Sequence, residues 1–103
     1  MKFFNKPTRE QMKKLVGMMI EFWRKKRKLN ETQLGSKCGK TCSKISSYEL
    51  GRRLADSFEH NKVAYALKIP LSQLYNWKLC PQAMEYIIKH KLNVNNYHNS
   101  TIN

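Results

Sequence analysis

Met12, Leu15, Val16, Met19, Phe22 and Trp23 recur at three- and four-residue steps. That period draws a single apolar stripe along an α-helix, and a helix carrying such a stripe must bury it against a core. The start of the helix is marked as well. Thr8 and Gln11, just after Pro7, have the spacing of a capping box, in which each side chain satisfies a free backbone amide of the other. The helix is expected to run from there to about Lys28. The run Arg24-Lys25-Lys26-Arg27-Lys28 closes it where the carbonyl-rich end of the helix dipole favours cations.

The same reasoning places shorter helices along the rest of the chain. Asn30, with Gln33 three residues on, caps a second helix over Glu31 to Cys38, and Gly39 supplies the left-handed residue that stops it. Thr41 caps a third helix, about Cys42 to Leu50, which ends at Gly51 and turns Ile45 and Tyr48 inward. Asp56 or Ser57 starts a fourth helix through Leu67. After the break at Pro70, Ser72 caps a fifth carrying Leu74 and Trp77, and Pro81 suits the first turn of a sixth with Met84, Ile87 and Ile88 on one side. No segment alternates as a strand does, so the expected class is all-α, a bundle of five or six short helices with an extended first helix. Residues 1–7 read as an arm, 8–92 as one domain, and the polar stretch 93–103 as a frayed, disordered tail.

At 103 residues, 41% of them hydrophobic, the chain has material for one core and no room for two. Twenty Lys+Arg against seven Asp+Glu give a formal net charge of +13, a field that favours polyanionic partners, with nucleic acid ahead of acidic membrane. Half of the basic residues fall within 24–53, where only Glu31 and Glu49 oppose them. Taken alone, such a run is equally well read as a solvated face. Cys38, Cys42 and Cys80 form no CxxC pair, and His60, His90 and His98 lack paired-ligand spacing, so neither a metal nor another cofactor is expected. The sparse cysteines and the lack of an apolar leader or spanning run point to the reducing cytoplasm rather than to secretion or a membrane. The residues show no nucleophile–base pair, glycine-rich phosphate loop or paired catalytic carboxylates, so an enzyme is not expected.

The stretch LNETQLGSKCGKTCSKISSYELGRR carries the functional signal. Gly35, Gly39, Ile45 and Tyr48 stand at offsets 0, 4, 10 and 13. Gly35 lets the second helix approach the third, Gly39 takes the positive φ of a tight turn, and Ile45 and Tyr48 pin the third helix to the core. Together they describe a helix-turn-helix over residues 30–50.

From about Ile20 to Trp77, a little over half the chain, the sequence resembles the Cro/repressor-type (xenobiotic-response-element-like) helix-turn-helix family of regulators. The residues carrying the likeness are Arg24, Leu29-Asn30, Leu34-Gly35, Gly39, Thr41, Ile45-Ser46, Tyr48-Glu49, Gly51 and Ala64 with Leu67. The resemblance implies a five-helix core whose third helix enters the major groove of double-stranded DNA. It also implies a structural ion pair between Arg24 and Glu49. Base-edge contacts would come from Cys42, Ser43 and Ser47, flanked by Lys44 and Ser46; a hydroxyl serves either kind of base pair, and Lys44 suits guanine O6 or N7 or a phosphate. Phosphate contacts are expected from Asn30 and Thr32 at the amide-rich start of the second helix, from Lys40 and Thr41 at the turn, and from Arg52 and Arg53. Two residues depart from the pattern: Glu31, where the family often has glutamine, and Asn61, polar where the fourth helix is usually apolar.

The leading expectation is therefore a sequence-specific transcriptional regulator, a repressor acting as a homodimer on half-sites about 34 Å apart. Leu74, Trp77, Met84, Ile87 and Ile88 are the candidates for the dimer contact, with the protein's own core as their alternative use. An antitoxin-like protein of the same fold, acting through a toxin or other protein partner, is the second reading. Binding of RNA or acidic membrane by the first helix is the third, and it conflicts with the need of that helix's apolar face for the core.

Overall fold

The computed structural model describes residues 5–53 and 56–94. Within them the chain forms five α-helices, α1 (Arg9–Lys26), α2 (Glu31–Cys38), α3 (Cys42–Glu49), α4 (Ser57–Ala66) and α5 (Pro81–His90), with two 3₁₀ turns, Leu71–Tyr75 and Trp77–Leu79, between the last two. The described residues contain no strand; the one ladder contact is an isolated bridge between Asn5 and Leu92. The radius of gyration, 13.1 Å, is that of one domain of about 100 residues. No described helix is long and apolar enough to cross a membrane.

The caps act where the sequence places them. The Thr8 amide donates to Gln11 Oε1 at 2.9 Å while the Gln11 amide donates to Thr8 Oγ1 at 3.1 Å. Asn30 and Gln33 make the same reciprocal pair at 2.8 and 2.7 Å. Asp56 accepts from the Glu59 amide and so opens α4. Gly39 (φ 70°) ends α2, and Gly51 (φ 73°) follows α3.

α1 stops at Lys26, two residues short of the expected end, because Lys28 takes a left-handed backbone (φ 58°) and the Leu29 amide turns back to the Arg24 carbonyl. Lys68 (φ 61°) and Lys91 (φ 52°) end α4 and α5 in the same way. In each case the next residue, Leu29, Ile69 or Leu92, packs on or into the core, and that apolar contact offsets the cost of a left-handed lysine.

Ser72, expected to cap a fifth helix, lies inside a 3₁₀ turn and caps nothing. Asn76 leaves helical geometry (ψ 77°), so two tight turns replace the expected fifth α-helix. This path carries Leu74 and Trp77 into the core within a few residues and brings the Gln73 carbonyl to the Trp23 indole N–H at 3.3 Å.

The core gathers the α1 stripe (Met12, Leu15, Val16, Met19, Ile20, Trp23) with Leu34, Ile45, Tyr48, Val63, Leu67 and Leu74. Phe22, placed on the stripe by its spacing, is only partly buried and sits edge-on to Trp23. At the chain ends, the Asn93 amide donates to the Asn5 carbonyl at 2.7 Å and the Asn5 amide to that of Lys91 at 3.3 Å. The frayed tail therefore does not begin at Asn93, whose backbone is paired; positions 1–4 of the arm and 95–103 of the tail lie outside the described residues.

Candidate nucleic-acid interface

α2 and α3 form a helix-turn-helix joined by Gly39-Lys40-Thr41. Three close approaches fix its geometry. A β-carbon on Gly35 would stand 2.4 Å from the Lys40 carbonyl oxygen, so α2 meets the turn itself, where the sequence suggested α3. The Lys40 amide donates to the Gly35 carbonyl at 2.8 Å, closing the turn. A β-carbon on Gly17, in α1, would stand 2.3 Å from the Tyr48 carbonyl oxygen and 2.7 Å from that of Glu49. α1 thus seats the last turn of α3 backbone to backbone.

A further constraint is the Arg24–Glu49 pair. Nε donates to one carboxylate oxygen at 2.6 Å and Nη2 to the other at 3.0 Å, while Nη1 donates to the Leu29 carbonyl at 2.9 Å. The side chains keep 12% and 4% of their surface, so the pair lies in the interior. The hydrogen bond to Glu49 raises Arg24 above its ordinary value. Burial holds the Glu49 carboxyl above its ordinary value, against the opposing pull of the bidentate guanidinium. Two charge-assisted bonds tie the guanidinium to both carboxylate oxygens. Glu31 stands near enough for its charge to raise both partners.

With Ile45 and Tyr48 buried, the opposite side of α3 presents Cys42 and Ser43 exposed and Lys44, Ser46 and Ser47 half-buried. Ser47 Oγ donates to the Ser43 carbonyl at 3.0 Å, a bond that leaves its lone pairs free to accept. Thr41 is exposed and accepts the Lys44 amide at 3.1 Å. Asn30 and Thr32 are exposed at the start of α2, whose first amides have no acceptor within the helix. Arg52 and Arg53 are exposed after α3, where the Arg52 amide returns to the Ser47 carbonyl and the Gly51 amide to that of Tyr48.

Lys40 differs from this set. Its ammonium turns inward to Glu59 of α4 with only 6% of the side chain exposed, and its amide is spent on Gly35. The expected phosphate contact at Lys40 is therefore corrected to a tie between the turn and α4. A desolvated, paired ammonium would have to break that pair to reach a phosphate.

Several residues have roles that the sequence reading did not give them. Lys14, exposed on α1, lies with its stem against Gly51, where an added β-carbon would stand 2.8 Å from Lys14 Cγ, and Gly51 is followed in the chain by the exposed Arg52 and Arg53. Gly17 had a signal, a mid-helix glycine on an apolar stripe, which costs helix stability unless something must come close. Arg27, part of the basic run, is structural: its Nε donates to the Leu67 carbonyl at 2.7 Å and so caps α4. Of the five expected dimer residues, Leu74, Trp77 and Ile87 are spent in the core, Met84 is half-buried, and Ile88 keeps 55% of its surface exposed.

No protein-family model matches this chain, and no curated protein is significantly similar to it.

Proposed function

We propose that this chain is a sequence-specific double-stranded DNA-binding regulator that lays α3 in the major groove and acts as a repressor in the cytoplasm. The observation that carries this reading is the outward face of α3. Small hydrogen-bonding side chains, Cys42, Ser43 and Ser47, lie on a helix held from behind by the Gly17 approach and the Arg24–Glu49 pair. A helix so presented admits close approach to base edges, and Lys14, Arg52 and Arg53 beside it supply phosphate-facing charge. The net charge of +13 and the three unpaired cysteines agree with this role and location. Small reading side chains give each base contact little discrimination, so sequence-dependent DNA shape contributes to specificity. A homodimer would place two α3 helices on half-sites about 34 Å apart, with Ile88 and Met84 of α5 as the outward apolar residues for that contact.

Selection from a random duplex library, followed by sequencing, tests this reading. A two-fold-symmetric motif is expected, altered at one position by Ser43→Ala and uniformly weakened by Arg52→Ala. Strong, salt-dependent binding to any duplex without enrichment would overturn it.

A further inference from the structure

We propose that the groove between α2, α4 and the Ile69–Leu71 segment binds an acidic, amphipathic peptide segment of a partner protein. The groove has a volume of about 720 Å³. Lys37 and Cys38 of α2 form one wall, Phe58, Lys62 and Tyr65 of α4 the other, and Leu71 closes one side. Phe58, Lys62 and Tyr65 fall at helical steps of four and three, so they share one face of α4. That face is turned to solvent, with Phe58 62% and Tyr65 86% exposed. Large aromatics around a mostly apolar concavity mark an interaction surface, whereas scattered single ones need no explanation.

Charge selects the occupant. Lys37 and Lys62 border the groove, no Asp or Glu lines it among the described residues, and neither lysine is ion-paired there. Glu59, the nearest carboxylate along α4, is held by Lys40. An apolar trough between unneutralised ammonium groups complements a segment with apolar anchors on one face and carboxylates beside them. Single-stranded nucleic acid also meets lysines and aromatics on such surfaces, but base stacking needs open ring faces. Here the Lys62 ammonium covers one face of Phe58, 4.8 Å from the ring centroid, which leaves Tyr65 as the one uncovered ring, too few for a run of stacked bases, and the lining includes Ala64, Ile69 and Pro70. None of these residues belongs to α3 or to the arginines after it, so the inference stands independently of the DNA reading.

The test is selection of short random peptides on the full chain. Binding titrations of an enriched peptide, and of oligo-dT, to the wild type and three surface variants would follow. The expected peptides combine Asp or Glu with aromatic or branched aliphatic residues. Tyr65→Ala and Lys62→Glu should each weaken them by at least about tenfold, while Lys89→Glu on α5 leaves them nearly unchanged. Amide chemical-shift changes on peptide addition should map to Lys37, Phe58, Lys62 and Tyr65. No enrichment, or affinity lost equally in Lys89→Glu and kept in Tyr65→Ala, would overturn the proposal. Oligo-dT binding more tightly than any peptide and losing affinity in Tyr65→Ala would also overturn it, assigning the groove to single strands.

Discussion

Gly17 of α1 lies so close to the Tyr48 carbonyl that a single added methyl group would stand 2.3 Å from its oxygen. The obstacle is backbone, and no rotamer change removes it. Gly17→Ala should therefore destabilise the protein by about 1–3 kcal/mol, although alanine is the better helix former. Thermal unfolding would record this as a fall in Tm of at least about 4 °C. An unchanged or higher Tm would mean that α1 and α3 are not in contact there.

The Arg24–Glu49 pair makes a different prediction, because removing one partner strands a charge in the interior. Arg24→Met should cost about 3–5 kcal/mol, since Glu49 with 4% exposure would lose its counter-ion. Replacing both residues, Arg24→Met with Glu49→Leu, should cost much less than the sum of the single changes. Urea titrations of the two single variants and the double variant check this non-additivity.

Lys40 and Arg52 are both basic and both flank α3, yet they should separate cleanly in a salt titration of DNA binding. Arg52→Ala should lower the slope of log affinity against log salt by about one, with stability unchanged. Lys40→Ala should leave that slope intact and lower stability, because Lys40 is engaged with Glu59. Equal slopes for wild type and Arg52→Ala would remove Arg52 from the interface.

His60 gives a pH dependence. It is buried, its Nδ1 lies 2.7 Å from the Tyr75 hydroxyl, and burial holds its pKa below the ordinary value against the opposing charge of Asp56. The unfolded chain then binds a proton that the folded chain refuses. Stability should be full above about pH 6.5, the unfolded histidine value, and fall as the pH drops below it. In His60→Gln this acid-side loss should shrink, as read by chemical denaturation at pH 7.5 and 5.5.

The local structure was legible because its causes are local. Thr8 with Gln11, Asn30 with Gln33, Thr41, Asp56, Gly39 and Gly51 satisfy or end a helix through groups within a few residues of themselves, so spacing alone reveals them. The apolar stripe from Met12 to Trp23 is legible for the same reason, since a helix of fixed period converts spacing into a face.

Partner choice over long separations is not encoded in spacing. Nothing near Lys40 distinguishes it from Arg52, and only folding brings Glu59 to its ammonium and leaves the arginine in solvent. Leu74, Trp77 and Ile87 read as apolar residues open to any use until the fold placed α5 and the first 3₁₀ turn against α1, with the second turn against α5, and used them for the core. Arg27 became a cap for a helix forty residues away, and the groove beside Tyr65 exists only because α2 and α4 meet. Helix starts and stops follow from short-range hydrogen bonding, whereas burial and charge pairing follow from which surfaces the whole chain can close at once.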